Sequence, residues 1–251
     1  MKILGKLNNL LTRTGFQLTH LPPQNNEPLF IMTDHYKIRQ KLINHFNINK
    51  ILDIGANTGQ FVNVMRNIGF EKKIFSFEPL SDAYAQIQRK AENDNNWDCF
   101  NFALGEQEKT LQINIAGNSY SSSILQMLPI HESYDMQSKY IGVESISVKT
   151  LDSIFTNLCF PADNIYAKID TQGYEKEVLN GAKKSLSNVL ILQLELSLQQ
   201  LYKDEPLFDE IYNQMTQQGF EILTFENGIS DFNSGRLMQV DVLFLNRKLV
   251  K

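Results

Sequence analysis

Residues 50–59 read Lys50-Ile51-Leu52-Asp53-Ile54-Gly55-Ala56-Asn57-Thr58-Gly59. An apolar strand runs into a glycine-rich turn, and the turn opens a helix expected to reach about Asn67. Glycines at such a turn let the backbone approach a ligand closely, and the free N–H groups of the helix start add donors. A dinucleotide turn would carry G-x-G-x-x-G, but Asn57 and Gln60 stand where its second and third glycines belong. Asp53, an acid at the strand end, suits a cationic ligand group, such as an amino group or a sulfonium, better than a phosphate.

Outward from this stretch, strands alternate with helices. Strands are expected at 73–77, 99–102, 165–169, 189–194, 221–225 and 240–245, with helices near 82–93, 174–186 and 207–218. A further helix is expected over 33–48. Such alternation specifies an α/β fold of Rossmann-like, doubly wound type, with a mostly parallel seven-stranded sheet. The two adjacent late strands, with no helical period between them, point to a reversed final strand. Residues 106–150 break the rhythm. Thr110–Ile115 and Ile146–Thr150 alternate as an inserted hairpin, and a long polar loop with Ser119, Ser121, Ser122 and Ser123 lies between them. A loop that long in a compact domain is usually functional or disordered.

The chain has 251 residues, 42% hydrophobic and 21% charged, with a net charge of −4. That balance argues against a basic nucleic-acid-binding face. Its length suits one domain, 31–251, preceded by an extension over 1–30. Ile3, Leu4, Leu7, Leu10 and Leu11 fall at helical spacing there, flanked by Lys2, Lys6 and Arg13, and Pro22, Pro23 and Pro28 end any helix. This helix is read as docking on its own domain or on a second subunit of a homodimer. Contact of residues 1–20 with a membrane surface is the alternative. Neither a secretory signal nor a membrane span is evident, and Cys99 and Cys159 form no CxxC pair, so a cytoplasmic location is expected.

A second signal is Phe77-Glu78-Pro79, closing the second strand. An acid there can accept both ribose hydroxyls of a nucleoside cofactor. With the glycine turn, it makes a nucleoside ligand the leading reading. These two blocks, with Ala103-Leu104-Gly105, Val148-Lys149-Thr150-Leu151-Asp152 and Lys168-Ile169-Asp170-Thr171-Gln172-Gly173-Tyr174-Glu175, resemble the FkbM family of methyltransferases. The resemblance covers about residues 48–200. It implies a class I S-adenosylmethionine-dependent enzyme, with Asp53, Gly55, Asn57 and Gly59 at the methionine end of the cofactor and Glu78 on the ribose. Asn101, Ala103 and Leu104 would lie against the adenine, and Asp170 would face the reactive methyl.

Methyl transfer to a hydroxyl needs alignment and a base, or a metal, to take the proton. Asp170, Glu195 and His131 are the candidate bases. A metal on Asp170 and Glu195 stays open, although no ligand spacing supports one. Lys168 in an apolar strand is costly unless paired. It is read either as a structural ion pair with Glu195 or Asp152, or as a residue near the substrate. Glu175 and the serines 121, 122 and 123 are candidate contacts to a polyhydroxyl acceptor, a small molecule or a glycan. The competing functions are an NAD- or nucleotide-sugar-dependent oxidoreductase and a non-catalytic cofactor-binding module.

Overall fold

The computed structural model describes residues 31–231 and 234–250. The expected N-terminal helix, with its docking or membrane contact, lies outside the described residues. Helix α1 (Asp34–His45) starts where the Thr33 hydroxyl accepts from the Tyr36 N–H. Then come β1 (Lys50–Ile54), α2 (Gln60–Asn67), β2 (Lys73–Phe77), α3 (Ser81–Ala91) and β3 (Trp97–Phe100). After β4 (Ala103–Leu104) and β5 (Lys109–Ala116), a short helix α4 (Pro129–Tyr134) precedes β6 (Tyr140–Lys149). The chain continues through α5 (Leu151–Leu158), β7 (Ile165–Ile169), α6 (Glu175–Asn180), β8 (Val189–Ser197), α7 (Phe208–Gln218), β9 (Phe220–Ser230) and β10 (Leu237–Asn246). Residues Met32–Lys251 make one compact unit.

Seven strands form one sheet in the order β3-β2-β1-β7-β8-β10-β9. β1, β2, β3, β7 and β8 pair in parallel, and β10 runs antiparallel to both β8 and β9. This is the mixed α/β fold with the reversed final strand read from the sequence. The register explains its two unlike faces. Leu52, Ala167 and Leu192 stand in one row, and Ile54, Ile169 and Leu194 in another. All six belong to the apolar core against which α5, α6 and α7 pack. Because side chains alternate across the pleat, the intervening row of Asp53, Lys168 and Gln193 points to the other face.

Three local expectations are corrected. The third strand stops at Phe100 rather than running to residue 102, because the Asn101 amide turns back to donate to the Glu78 and Pro79 carbonyls. Ala103–Leu104 then leaves the main sheet and pairs with β6, making a second, three-stranded sheet with β5. The helix expected over 174–186 ends at Asn180. A Cβ at Gly181 would lie 1.9 Å from the Gly105 carbonyl oxygen, so the backbones touch there and only glycine fits. The polar stretch after β5 is not structureless. It folds back so that Asn114 and Ser123 exchange backbone hydrogen bonds, and α4 and a turn of 3₁₀ helix at Met136–Ser138 follow.

On the polar face, α1 is fixed by one buried ion pair. Arg39 is 5% exposed and Glu226, on β9, is 7% exposed. Arg39 Nε donates to Glu226 Oε1 at 3.2 Å, and its Nη2 bonds Oε2. The guanidinium also lies over the Phe61 ring of α2, 5.2 Å from its centroid. Glu226→Ala would leave the guanidinium buried without its counter-charge. The expected loss of stability is about 3–5 kcal/mol, read from urea unfolding. Replacing both partners with Met and Leu should cost less than the single change. A loss under about 0.5 kcal/mol for Glu226→Ala would contradict this role.

Candidate active site

A cavity of about 280 Å³ opens at the carboxyl ends of β1, β2 and β7. Ligands of open α/β sheets bind at such strand ends. Phe77, Leu104, Ile113 and Ile124 give it an apolar wall. Gly55, Asn57, Glu78, Lys168, Asp170 and Gln172 give it a polar one, and Ser119, Tyr120 and Ser122 line it from the loop after β5. That loop meets the glycine turn directly, since the Asn57 side chain and the Ser119 hydroxyl lie 3.3 Å apart. Asn57, Ser119 and Gln172 are three of the five described non-glycine residues with φ between 45° and 62°. Left-handed backbone is costly for residues with a Cβ, and it concentrates where surrounding structure holds a functional geometry.

Gly55 is required by that geometry. Its φ is +80°, and a Cβ there would lie 1.9 Å from the Asp170 carbonyl oxygen. Glu78, at the end of β2, is 5% exposed. Its two carboxylate oxygens accept from the Asn57 N–H at 2.7 Å and the Leu80 N–H at 2.8 Å. Burial still pushes its carboxyl up to about 7, against the pull of these donors. Ala103 and Leu104 both line the cavity.

Lys168 organises the polar wall. Its ammonium lies 3.1 Å from Asp170 Oδ2, 3.8 Å from Asp53 Oδ1 and 3.3 Å from the Gly55 carbonyl oxygen. Burial works against its charge, but the Asp170 and Asp53 carboxylates outweigh that and hold it above the ordinary lysine range. Its partners are therefore Asp53 and Asp170, not Glu195 or Asp152. Register puts Asp53 beside it on β1. Asp152 is engaged elsewhere, accepting from the N–H groups of Lys184 and Ser185. Glu195 accepts from the amides of Gln172 and Gln239.

Several other candidates do not reach the cavity. Asp53 is fully buried behind the wall, where its second oxygen accepts from the Ser76 hydroxyl at 3.0 Å. The cation it faces is Lys168 rather than a ligand. Gly59 starts α2 with its α-carbon against the Trp97 ring. Asn101 is exposed at its turn. His131 is buried in α4, edge-on to Tyr202 at 5.1 Å, and burial pushes it down to about 4. Ser121 and Ser123 are buried and fold the loop itself. Ser121 accepts from the Asn118 amide, and Ser123 donates to the Gln172 carbonyl. Glu195 lies beside the wall rather than on it. Burial, then the charges of Asp170 and Asp241, push its carboxyl well above the usual range.

Glu175 is also structural. It is 4% exposed and accepts from the Thr171 N–H at 2.7 Å and the Thr171 hydroxyl at 3.0 Å. These bonds close the connection from β7 to α6. Tyr120, Gln60, Thr171 and Gln172, which line the cavity, were not singled out from the sequence. Gln172 lies within the Lys168–Glu175 block and Tyr120 within the serine loop, so spacing marked the segments but not the side chains. Among the described residues, no group of three or more His, Cys, Asp or Glu side chains is arranged to hold a metal ion. Between Asp170 and Glu195 sits the Gln172 amide, which donates to both.

The family model for the FkbM methyltransferase domain matches residues 53–222, more than half of the chain and the whole of this wall. The chain belongs to the FkbM methyltransferase family. It is thereby an S-adenosylmethionine-dependent methyltransferase, and the oxidoreductase alternative falls away. No protein of curated function matches the sequence. Among solved structures it resembles Streptococcus pneumoniae Sp1610 with S-adenosyl-L-methionine bound, at 12% identity and a TM-score of 0.45, over 83% of this chain and 72% of that one. A human methyltransferase 10 domain-containing protein is 12% identical at a TM-score of 0.44, over 98% and 97%. TehB of Haemophilus influenzae is 11% identical at 0.48, over 89% and 64%. Likenesses this distant transfer no residue roles to this FkbM protein.

The acids of this region give a pH prediction. Burial pushes the Glu175 carboxyl up to about 8 from 4.5, and that of Asp241 to about 6 from 3.8. Between the unfolded and folded values the native chain holds protons that the unfolded chain has released, so stability falls as pH rises through that window. The melting temperature should therefore fall from pH 5 to pH 8.5. Glu175→Gln keeps the oxygen that accepts from Thr171 but cannot titrate, and it should flatten the fall, by of order 3 kcal/mol at pH 8.5. Equal slopes for both proteins would contradict the assignment.

Proposed function

We propose that this cavity binds S-adenosylmethionine between Glu78 and Asp170 and that the enzyme methylates a hydroxyl of a sugar, glycan or hydroxylated small molecule. The observation that carries this reading is the placement of Asp170. Asp170 lines the cavity just past the end of β7, and Ser119, Tyr120 and Ser122 of the polar loop line the same cavity.

The residues present suit the cofactor. A carboxylate has about four lone-pair sites. The two backbone donors to Glu78 occupy two of them, leaving acceptors for two ribose hydroxyls. Phe77, Leu104, Ile113 and Ile124 offer the apolar surface that a purine ring needs. Gly55 and Asn57 would pass the methionine portion towards Asp170. When bound, the cofactor supplies an electrophilic methyl group on a sulfonium.

This chain then has three tasks. Ser119 and Tyr120 hydrogen-bond a polyhydroxyl acceptor at the mouth, while Ser122, whose hydroxyl donates to the Ser119 carbonyl and accepts from the Ala116 N–H, holds the loop that presents them. Asp170 would align the acceptor hydroxyl towards the methyl group and take up the hydroxyl proton on its carboxylate. Lys168 holds the Asp170 carboxylate in place, through the charge it shares between Asp170 and Asp53. The cytoplasm, where Cys99 and Cys159 stay reduced, suits this enzyme.

Calorimetry and transfer assays test the reading together. S-adenosylhomocysteine should bind more tightly as pH rises through about 7, where Glu78 becomes an ionised acceptor. Glu78→Gln should remove that pH dependence and weaken binding at least about tenfold, the loss of one or two charge-assisted hydrogen bonds. Asp170→Asn should leave that affinity within about threefold while transfer of labelled methyl to a panel of hydroxylated acceptors falls about 10²-fold. Unchanged binding by the Glu78 variant, or unchanged transfer by the Asp170 variant, would remove that residue from its role.

A further inference from the structure

Gln172 adopts φ 55° immediately before Gly173. A glycine would take this backbone shape without strain, so the side chain has to account for the residue. Each of its polar groups is engaged. Nε2 donates to Asp170 Oδ1 at 2.9 Å and to Glu195 Oε2 at 2.7 Å. Oε1 accepts from the hydroxyl of Tyr202 at 2.8 Å, and that hydroxyl also faces the Ser121 carbonyl oxygen at 3.1 Å. The Gln172 carbonyl accepts from the Ser123 hydroxyl at 2.6 Å. The Tyr202 donor fixes which way the amide points, because a flipped amide would set its oxygen against two carboxylates.

Asp170 is consequently gripped at both oxygens. Oδ2 faces Lys168 at 3.1 Å, and Oδ1 accepts from Gln172. One grip is a cation shared with Asp53. The other is a neutral donor shared with Glu195. A neutral amide is the side chain that can bridge two carboxylates without adding a charge. The charged groups acting on Asp170 from the surrounding elements are Lys168 on its own strand, Asp53 on β1, Glu195 on β8, Asp241 on β10 and Glu175 on α6.

We propose that Gln172 is a positioning residue: its amide sets the plane of the Asp170 carboxylate and ties it, through Tyr202 and Ser123, to the loop that forms the acceptor side of the cavity. The inference rests on Asp170 being the group that meets the acceptor, and it adds the device that aims it.

Crystal structures of the full chain read the contact directly, with S-adenosylhomocysteine calorimetry as the control for the cavity. In Gln172→Ala the Asp170 carboxylate should turn by at least about 30° or occupy two orientations, with S-adenosylhomocysteine affinity within about threefold of wild type. Gln172→Glu, close in shape but with no N–H to donate and a third carboxylate beside Asp170, should turn it further. It keeps the test decisive if the alanine variant folds poorly. Tyr202→Phe, which removes the donor that orients the amide, should turn it by less. An Asp170 carboxylate that keeps its plane in either Gln172 variant overturns the proposal. If wild type fails to bind S-adenosylhomocysteine, the cofactor reading fails on its own, while the orientation of Asp170 still decides the role of Gln172.

Discussion

A single buried ammonium organises the cavity end of this sheet. Lys168 stands in the second position from the end of β7, flanked by Asp53 on β1 and by Asp170 just past the strand. A lysine in that position would be ruinous among apolar neighbours. Here each charge offsets the desolvation of another, and the Gly55 carbonyl supplies a further acceptor. The triad joins the glycine turn to the Lys168–Glu175 block, so two segments of the polar wall are held by one cation.

The rest of the polar face continues the same logic across the sheet. Trp97 donates to the Ser76 hydroxyl, which donates to Asp53. On the other side, the Tyr166 hydroxyl donates to Gln193, and the Arg39–Glu226 pair closes the row at β9. The opposite face carries only the apolar rows against α5, α6 and α7. The face that carries Asp53 and Lys168 is packed as well, since Ile51, Ile74, Ile191 and Leu243 are fully buried on it, and the polar pairs are set into that packing. The carboxylates left partly open to the cavity, Glu78 and Asp170, are the ones free to meet a ligand.

Much of this was legible in the sequence, and the failures share a cause. Strand, glycine turn and helix follow from local spacing, so Gly55, Asn57 and the acid at Glu78 could be placed from the residues themselves. The reversed final strand followed from two late strands with no helix between them. Asp53 and Lys168 were read separately because their pairing is a matter of register between strands far apart in the chain. Asp53 looked like a ligand for an external cation because its internal cation could not be seen. Ser121, Ser123 and Glu175 were read as substrate contacts because a hydroxyl or carboxylate that closes its own loop has the same composition as one that meets a ligand. Gln172 and Tyr120 stood inside segments already marked, but nothing in the spacing separates a lining side chain from its neighbours.

The central claim is that the cofactor lies along the ends of β1, β2 and β7 with Glu78 at one end and Asp170 at the other. A crystal structure of the protein with S-adenosylhomocysteine measures this most directly. The account predicts ribose hydroxyls within hydrogen-bond distance of Glu78, the sulfur facing the Asp170 carboxylate, and Asp53 still bonded to Ser76 and Lys168 without touching the ligand. A ligand held by Asp53 itself, or a sulfur turned away from Asp170, would contradict it.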